Sequence, residues 1–66
     1  MSALEMWRRH VLEHPEKYDA LERAAAWELT AHQCEERGIH WAAKIARRRA
    51  RRARARAGLS LTGRAT

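Results

Sequence analysis

The stretch AAKIARRRARRARARAG, residues 42–58, carries eight basic side chains and no acidic one, and alanine fills most of its gaps. The spacing of those alanines constrains the fold more than any other feature of the chain. Stepped at about 100° per residue, Ile39, Ala42, Ala43, Ala46, Ala50, Ala53 and Ala57 share one narrow strip of a helix, while Lys44 and the arginines occupy nearly everything else. Such a strip permits close approach of two backbones but buries little apolar area, so it cannot by itself hold a helix of this length in place. The expectation is a basic helix whose first half docks on the preceding one and whose last half extends beyond the core as a rod.

The remaining apolar inventory is thin. Fourteen of the 66 residues are alanine and only sixteen are larger apolar side chains, near the lower limit at which one hydrophobic core supports folding alone. Help from a partner or from self-association is expected, including a homodimer through the apolar helix stripes.

Three helices are legible. In Ser2-Ala-Leu-Glu5, Ser2 is placed at the N-cap with Glu5 three residues on, and Leu4, Trp7 and Val11 follow at helical spacing, so a first helix is expected over about 3–13. His14-Pro15 ends it, because the residue before a proline is pushed out of the α region, and Pro15 suits the first position of the next helix. From there to Arg37 neither glycine nor proline intervenes, which predicts a second helix over 15–37. It shows two apolar stripes, one of Ala20, Ala24, Trp27, Ala31 and Cys34 and one of Tyr18, Leu21, Ala25 and Leu29, and so is placed to touch two neighbours. Gly38 then suits the C′ position with Ile39 folding back on Cys34 in a Schellman end. The third helix is expected over 39–57 and stops at Gly58, leaving 59–66 as a flexible tail behind a single domain, 1–58. The fold class is all-α, a small three-helix arrangement, helix-turn-helix-like or a helical hairpin, with a long Arg-rich C-terminal helix.

Charge divides the chain. Residues 1–38 hold all eight acids and five bases, whereas residues 39–66 hold nine bases and no acid, within a net charge of +6. Twelve arginines against two lysines is what a GC-rich genome writes, but that accounts for the residue type and not for the clustering. Cys34 is alone, so no intramolecular disulfide forms, and a reducing cytoplasm is the expected setting. No apolar run approaches a membrane span, and a strip of alanine lacks the large side chains that hold a basic helix on lipid, so no membrane partner is expected.

The basic helix points to nucleic acid. Each cation that neutralises a backbone phosphate releases counterions, and arginine adds bidentate contacts to phosphate and guanine. Lys44, Arg47, Arg51 and Arg54 lie on one flank, Arg49, Arg52 and Arg56 on the other, and Arg48 between them, so a groove-bound helix would touch both walls. These residues resemble the arginine-rich recognition helices of small phage RNA-binding peptides and, more loosely, the basic regions of dimeric DNA-binding helices. DNA is favoured over RNA because its major groove admits a helix directly. The segment TAHQCEERGIHWAAKIARRRA also looks like a helix-turn-helix, with Cys34, Gly38 and Ile39 in the turn and Thr30 and Gln33 able to cap a break in the second helix, although Lys44 stands where that motif buries an aliphatic residue.

Two other chemistries are weighed. His10-Val-Leu-Glu-His14 reproduces the H-x-x-E-H pattern of zinc proteases, yet it sits on the last turn before Pro15, lacks a third ligand at fitting spacing and belongs to a chain too short for a substrate cleft. No enzyme, metal or cofactor is therefore expected. Trp7 and Trp27 fall within apolar stripes, whereas Trp41, with Ile45 four residues on, lies off the alanine strip as a stacking platform or partner anchor. The competing reading is an interaction module that uses Trp41, Ile45 and the basic helix to clamp an acidic surface of a larger protein. The structural alternative pairs the charge run with Glu28, Glu35 and Glu36 of the same chain.

Overall fold

Two N-terminal caps and one glycine set the helix boundaries. The computed structural model of the chain describes the backbone of residues 2–65 and the side chains of residues 2–58. Three α-helices, α1 (Ala3–Glu13), α2 (Ala20–Glu36) and α3 (His40–Ala65), make a small all-α fold, with a 3-10 turn at Pro15–Lys17 between the first two.

Ser2 opens α1 as expected, its hydroxyl oxygen accepting the Glu5 backbone N–H at 3.2 Å, and Pro15 opens the 3-10 turn. The second helix does not run unbroken from Pro15. Tyr18 and Asp19 are extended, and α2 begins only at Ala20. The cause is a second cap in Asp19-Ala-Leu-Glu22. The Asp19 carboxylate accepts the Glu22 N–H at 2.8 Å, and the Glu22 carboxylate accepts the Asp19 N–H at 3.4 Å, so both orphan donors are satisfied and a fresh helix start outcompetes continuation. Arg23 then ties the turn down by donating to the carbonyl oxygens of Pro15 and Tyr18.

From Ala20 to Glu36 the helix is continuous, which removes the helix-turn-helix break near Thr30. The Thr30 hydroxyl, rather than capping a new helix, donates back to the Ala26 carbonyl at 2.9 Å and accepts from Arg8 of α1 at 3.2 Å. The helix ends as the glycine foretold. Ile39 N–H reaches the Cys34 carbonyl at 2.8 Å and Gly38 N–H the Glu35 carbonyl at 3.0 Å, both bonds of a Schellman motif, with Gly38 at φ +76° where a side chain would be strained.

That turn reverses the chain, so α2 lies in the middle with α1 packed on one side and α3 antiparallel on another. Of the two stripes expected on α2, the first is the face toward α3: Ala31 is buried with Ala43 and Ala46, and Trp27 and Cys34 pack against that cluster. The second is covered only in part, Tyr18 and Leu29 being half-buried. Leu21 is 57% exposed and Ala25 is exposed, while the fully buried residues nearby include Ala26, outside both stripes, and Val11 of α1. A wheel that starts at Tyr18 counts a residue that is not in the helix.

The alanine strip of α3 is buried through Ala43, Ala46, Ala50 and Ala53. The last half of the expected 39–57 helix therefore does not extend free of the core as expected. At about 1.5 Å per residue the 17 residues of α2 span about 25 Å, enough to cover the strip well past Ala50. The same burial means that α2 of the same chain covers the strip at Ala43, Ala46, Ala50 and Ala53. Gly58 does not end α3 either. It has no positive φ, and a glycine in a helix interior costs about 1 kcal/mol relative to alanine, too little to stop a helix that no proline follows. The expected flexible tail falls on residues whose backbone is helical to Ala65, while the side chains of 59–65 and all of Thr66 lie outside the described residues. The whole measures 43 × 23 × 14 Å, its long axis close to the length of α3.

Candidate nucleic-acid interface

All eight basic residues named from the sequence, Lys44, Arg47, Arg48, Arg49, Arg51, Arg52, Arg54 and Arg56, are exposed on α3. Packing against α2 nevertheless sorts them into three groups. Arg47 and Arg54 are held by acids of α2: Arg47 Nη1 lies 2.8 Å from Glu35 Oε1, and Arg54 pairs with Glu28. The two pairs share a seven-residue step on each helix, backward on α2 and forward on α3, which is the register of the hairpin. Glu36, the third acid considered as an internal partner, instead meets His32 at 2.7 Å.

Arg49 is held without losing its charge. Its guanidinium carbon sits 4.9 Å from the centre of the Trp27 ring, a cation–π contact that fixes the head group while its in-plane N–H donors stay available. Lys44, Arg48, Arg51, Arg52 and Arg56 make no ion pair with any described residue. The distinction is angular. At about 100° per residue Arg47 and Arg54 sit beside the buried strip on one edge and Arg49 on the other, while Lys44 and Arg48 face away from α2 and Arg51, Arg52 and Arg56 lie between these extremes.

Trp41 and Ile45 belong to the same outward face, 70% and 43% exposed. The face thus carries an apolar pair at its N-terminal end followed by cations. Glu35 closes the hairpin from inside: its second oxygen is 2.9 Å from His40 Nδ1, and the donors of Arg47 and His40 hold its carboxyl below the usual carboxylate range.

Sequence reading did not include Arg23 or Trp27 in the site. The antiparallel register brings both across from the last basic turns of α3, where Arg23, Trp27, Arg49, Arg52 and Arg56 line a groove of about 350 Å³. The signal was available in the hairpin arithmetic that Gly38 imposes, once the register is known. On the opposite side of the α2–α3 seam, a second groove of about 460 Å³ contains Glu28 with Arg47, Arg51 and Arg54.

His10 and His14 do lie together, with ring centroids 4.7 Å apart, but His10 Nδ1 is engaged by the Tyr18 hydroxyl, and among the described residues no group of three His, Cys, Asp or Glu side chains is arranged to hold a metal ion. Among the described residues no helix is long and apolar enough to cross a membrane.

Fold and site together define a small all-α protein, a helical hairpin buttressed by a third helix, that presents a cationic outer face. No protein-family model, curated protein or solved structure matches the chain.

Proposed function

We propose that this is a small non-catalytic protein that binds nucleic acid, DNA ahead of RNA, through the outward face of α3. One observation carries the reading: Lys44, Arg48, Arg51, Arg52 and Arg56 are exposed over about 18 Å of helix, and no described carboxylate pairs with them. Unpaired cations in water gain most from a partner that releases its own condensed counterions, which is what a phosphate backbone does. A helix with side chains is about 10–12 Å across and matches the roughly 12 Å width of the DNA major groove. In this reading the chain acts in the cytoplasm as a regulator of the kind phages and mobile elements encode.

The test is a titration of labelled DNA duplex and RNA hairpin across a salt series, followed by fluorescence anisotropy. Five phosphate contacts give a log–log salt slope of about −4.5. A slope of zero removes the electrostatic mechanism.

The exposure of Trp41 and Ile45 favours a second reading, an interaction module docking on an acidic protein surface, because a solvent-facing tryptophan beside cations is the usual composition of an interface anchor. Trp41→Ala separates the two: under the first reading duplex binding falls only a fewfold, and under the second a partner captured from nuclease-treated extract is lost.

A further inference from the structure

The two sides of the α2–α3 seam differ in a way that selects one of them for phosphate. On the side of Glu28, two of the three groove arginines, Arg47 and Arg54, are already paired with carboxylates and only Arg51 is not. On the other side, Arg23, Arg49, Arg52 and Arg56 surround Trp27 and the groove lining contains no acid. Four cations gathered around one half-buried ring repel one another, and the arrangement persists because two of them are anchored by neutral groups. Arg23 donates to the carbonyl oxygens of Pro15 and Tyr18, and Arg49 stacks over Trp27. Neither anchor neutralises the charge. Each guanidinium has five donors in a rigid fork, so both keep N–H groups for a further acceptor, and their positions are fixed before any ligand arrives.

We infer that this acid-free groove is an oxyanion site for phosphate, with Arg23 of α2 acting alongside Arg49, Arg52 and Arg56 of α3. The inference rests on and deepens the nucleic-acid reading: it extends the contact surface from α3 to α2 and places the backbone along the Trp27 side of the hairpin. The ligand chemistry is a phosphate oxyanion, either the phosphodiester of a nucleic acid or free phosphate.

The experiment uses the full chain. Duplex DNA binding is measured at several salt concentrations for the wild type, Arg23→Gln, Arg49→Gln, Arg52→Gln and, as a charge-matched control on α1, Arg9→Gln. In parallel, inorganic phosphate is titrated into the ¹⁵N-labelled protein while the arginine Nε–Hε resonances are followed. Arg23→Gln, Arg49→Gln and Arg52→Gln are each expected to weaken duplex binding roughly 3- to 10-fold and to reduce the salt slope by about 0.9, with less than a twofold change for Arg9→Gln. Because Arg23 also holds the 15–18 turn, circular dichroism accompanies that variant, and Arg49→Gln, at a groove residue outside the five unpaired cations of α3, carries the test if Arg23→Gln loses helix. Wild-type binding with a folded Arg23→Gln or Arg49→Gln variant indistinguishable from Arg9→Gln overturns the groove and leaves the α3 reading standing. Absence of any DNA or RNA binding overturns the α3 reading. In that case saturable phosphate-induced shifts at Arg49 and Arg52 keep the groove as a site for free phosphate, and unmoved resonances overturn it as well.

Discussion

Arg47 and Arg54 on one edge of α3 differ from Arg48, Arg51 and Arg52 on its outward face only by where a helical turn places them, yet the first pair is matched to Glu35 and Glu28 and the others to nothing described. Residue type is therefore a poor guide to role in an arginine run. The angle to the packed face decides which cations hold the hairpin together and which stay available to a partner. An exposed ion pair contributes little stability, about 0–1 kcal/mol, so the paired edge acts chiefly as a register device, whereas an unpaired row retains its full charge.

The strongest way to break that contrast is to reverse the charge of the outward face. Arg48, Arg51 and Arg52 replaced together by Glu should lower duplex affinity at low salt by about a thousandfold or more, with the helical circular dichroism signal preserved. Loss of helix along with binding would show that these residues also hold the fold.

Attacking the seam that separates the two groups comes next. Ala46 is buried against α2 in the cluster with Ala31 and Ala43, so Ala46→Leu overpacks the contact and should destabilise the domain by about 1–3 kcal/mol, read as a drop in thermal midpoint. Ala55→Leu on the exposed side should leave the midpoint unchanged or slightly raised.

A smaller effect sharpens the comparison from the paired side. Arg47→Gln with Arg54→Gln should lower the melting temperature by a few degrees and the duplex affinity by less than about fivefold, the reverse ranking of the triple variant. Equal loss of affinity in both sets would mean that the two edges do not differ in function.

The smallest effect concerns pH. Arg47 and His40 hold the folded-state Glu35 carboxyl below its ordinary range, so its contribution is present above the unfolded-state pKa and is lost as pH falls through the lower folded-state value. Glu35→Gln should therefore be less stable than the wild type at neutral pH, and the two should converge in an acid denaturation series carried below the normal carboxylate range. A constant difference at all pH values would remove Glu35 ionisation from the clasp.

Much of the fold was readable from local chemistry. Ser2 with Glu5 marked the start of α1, and Gly38 with Ile39 marked the end of α2 down to the two Schellman bonds. The break before α2 lies at Asp19-Ala-Leu-Glu22, which repeats the pattern of Ser2-Ala-Leu-Glu5: a satisfied cap outweighs the absence of glycine and proline. Gly58 is the converse case: a glycine terminates a helix when the backbone adopts positive φ, and here it does not. In the candidate interface, the exposure of the eight basic residues and of Trp41 with Ile45 follows from type and period, while Arg23 and Trp27 join the groove only through the antiparallel register, since residues so far apart in the chain meet only after the turn has closed.

Sequence alone determined that the chain is helical, that its last third is cationic and that alanines mark its packed strip, because periodicity, caps and charge are properties of neighbours along the chain. Only the tertiary structure decided that α2 covers that strip past Ala50, that Glu35 and Glu28 take up two of the arginines, and that Arg23 joins the others around Trp27. Those outcomes depend on the register and rotation of one helix against another, which the side chains at the seam set jointly and no single segment encodes.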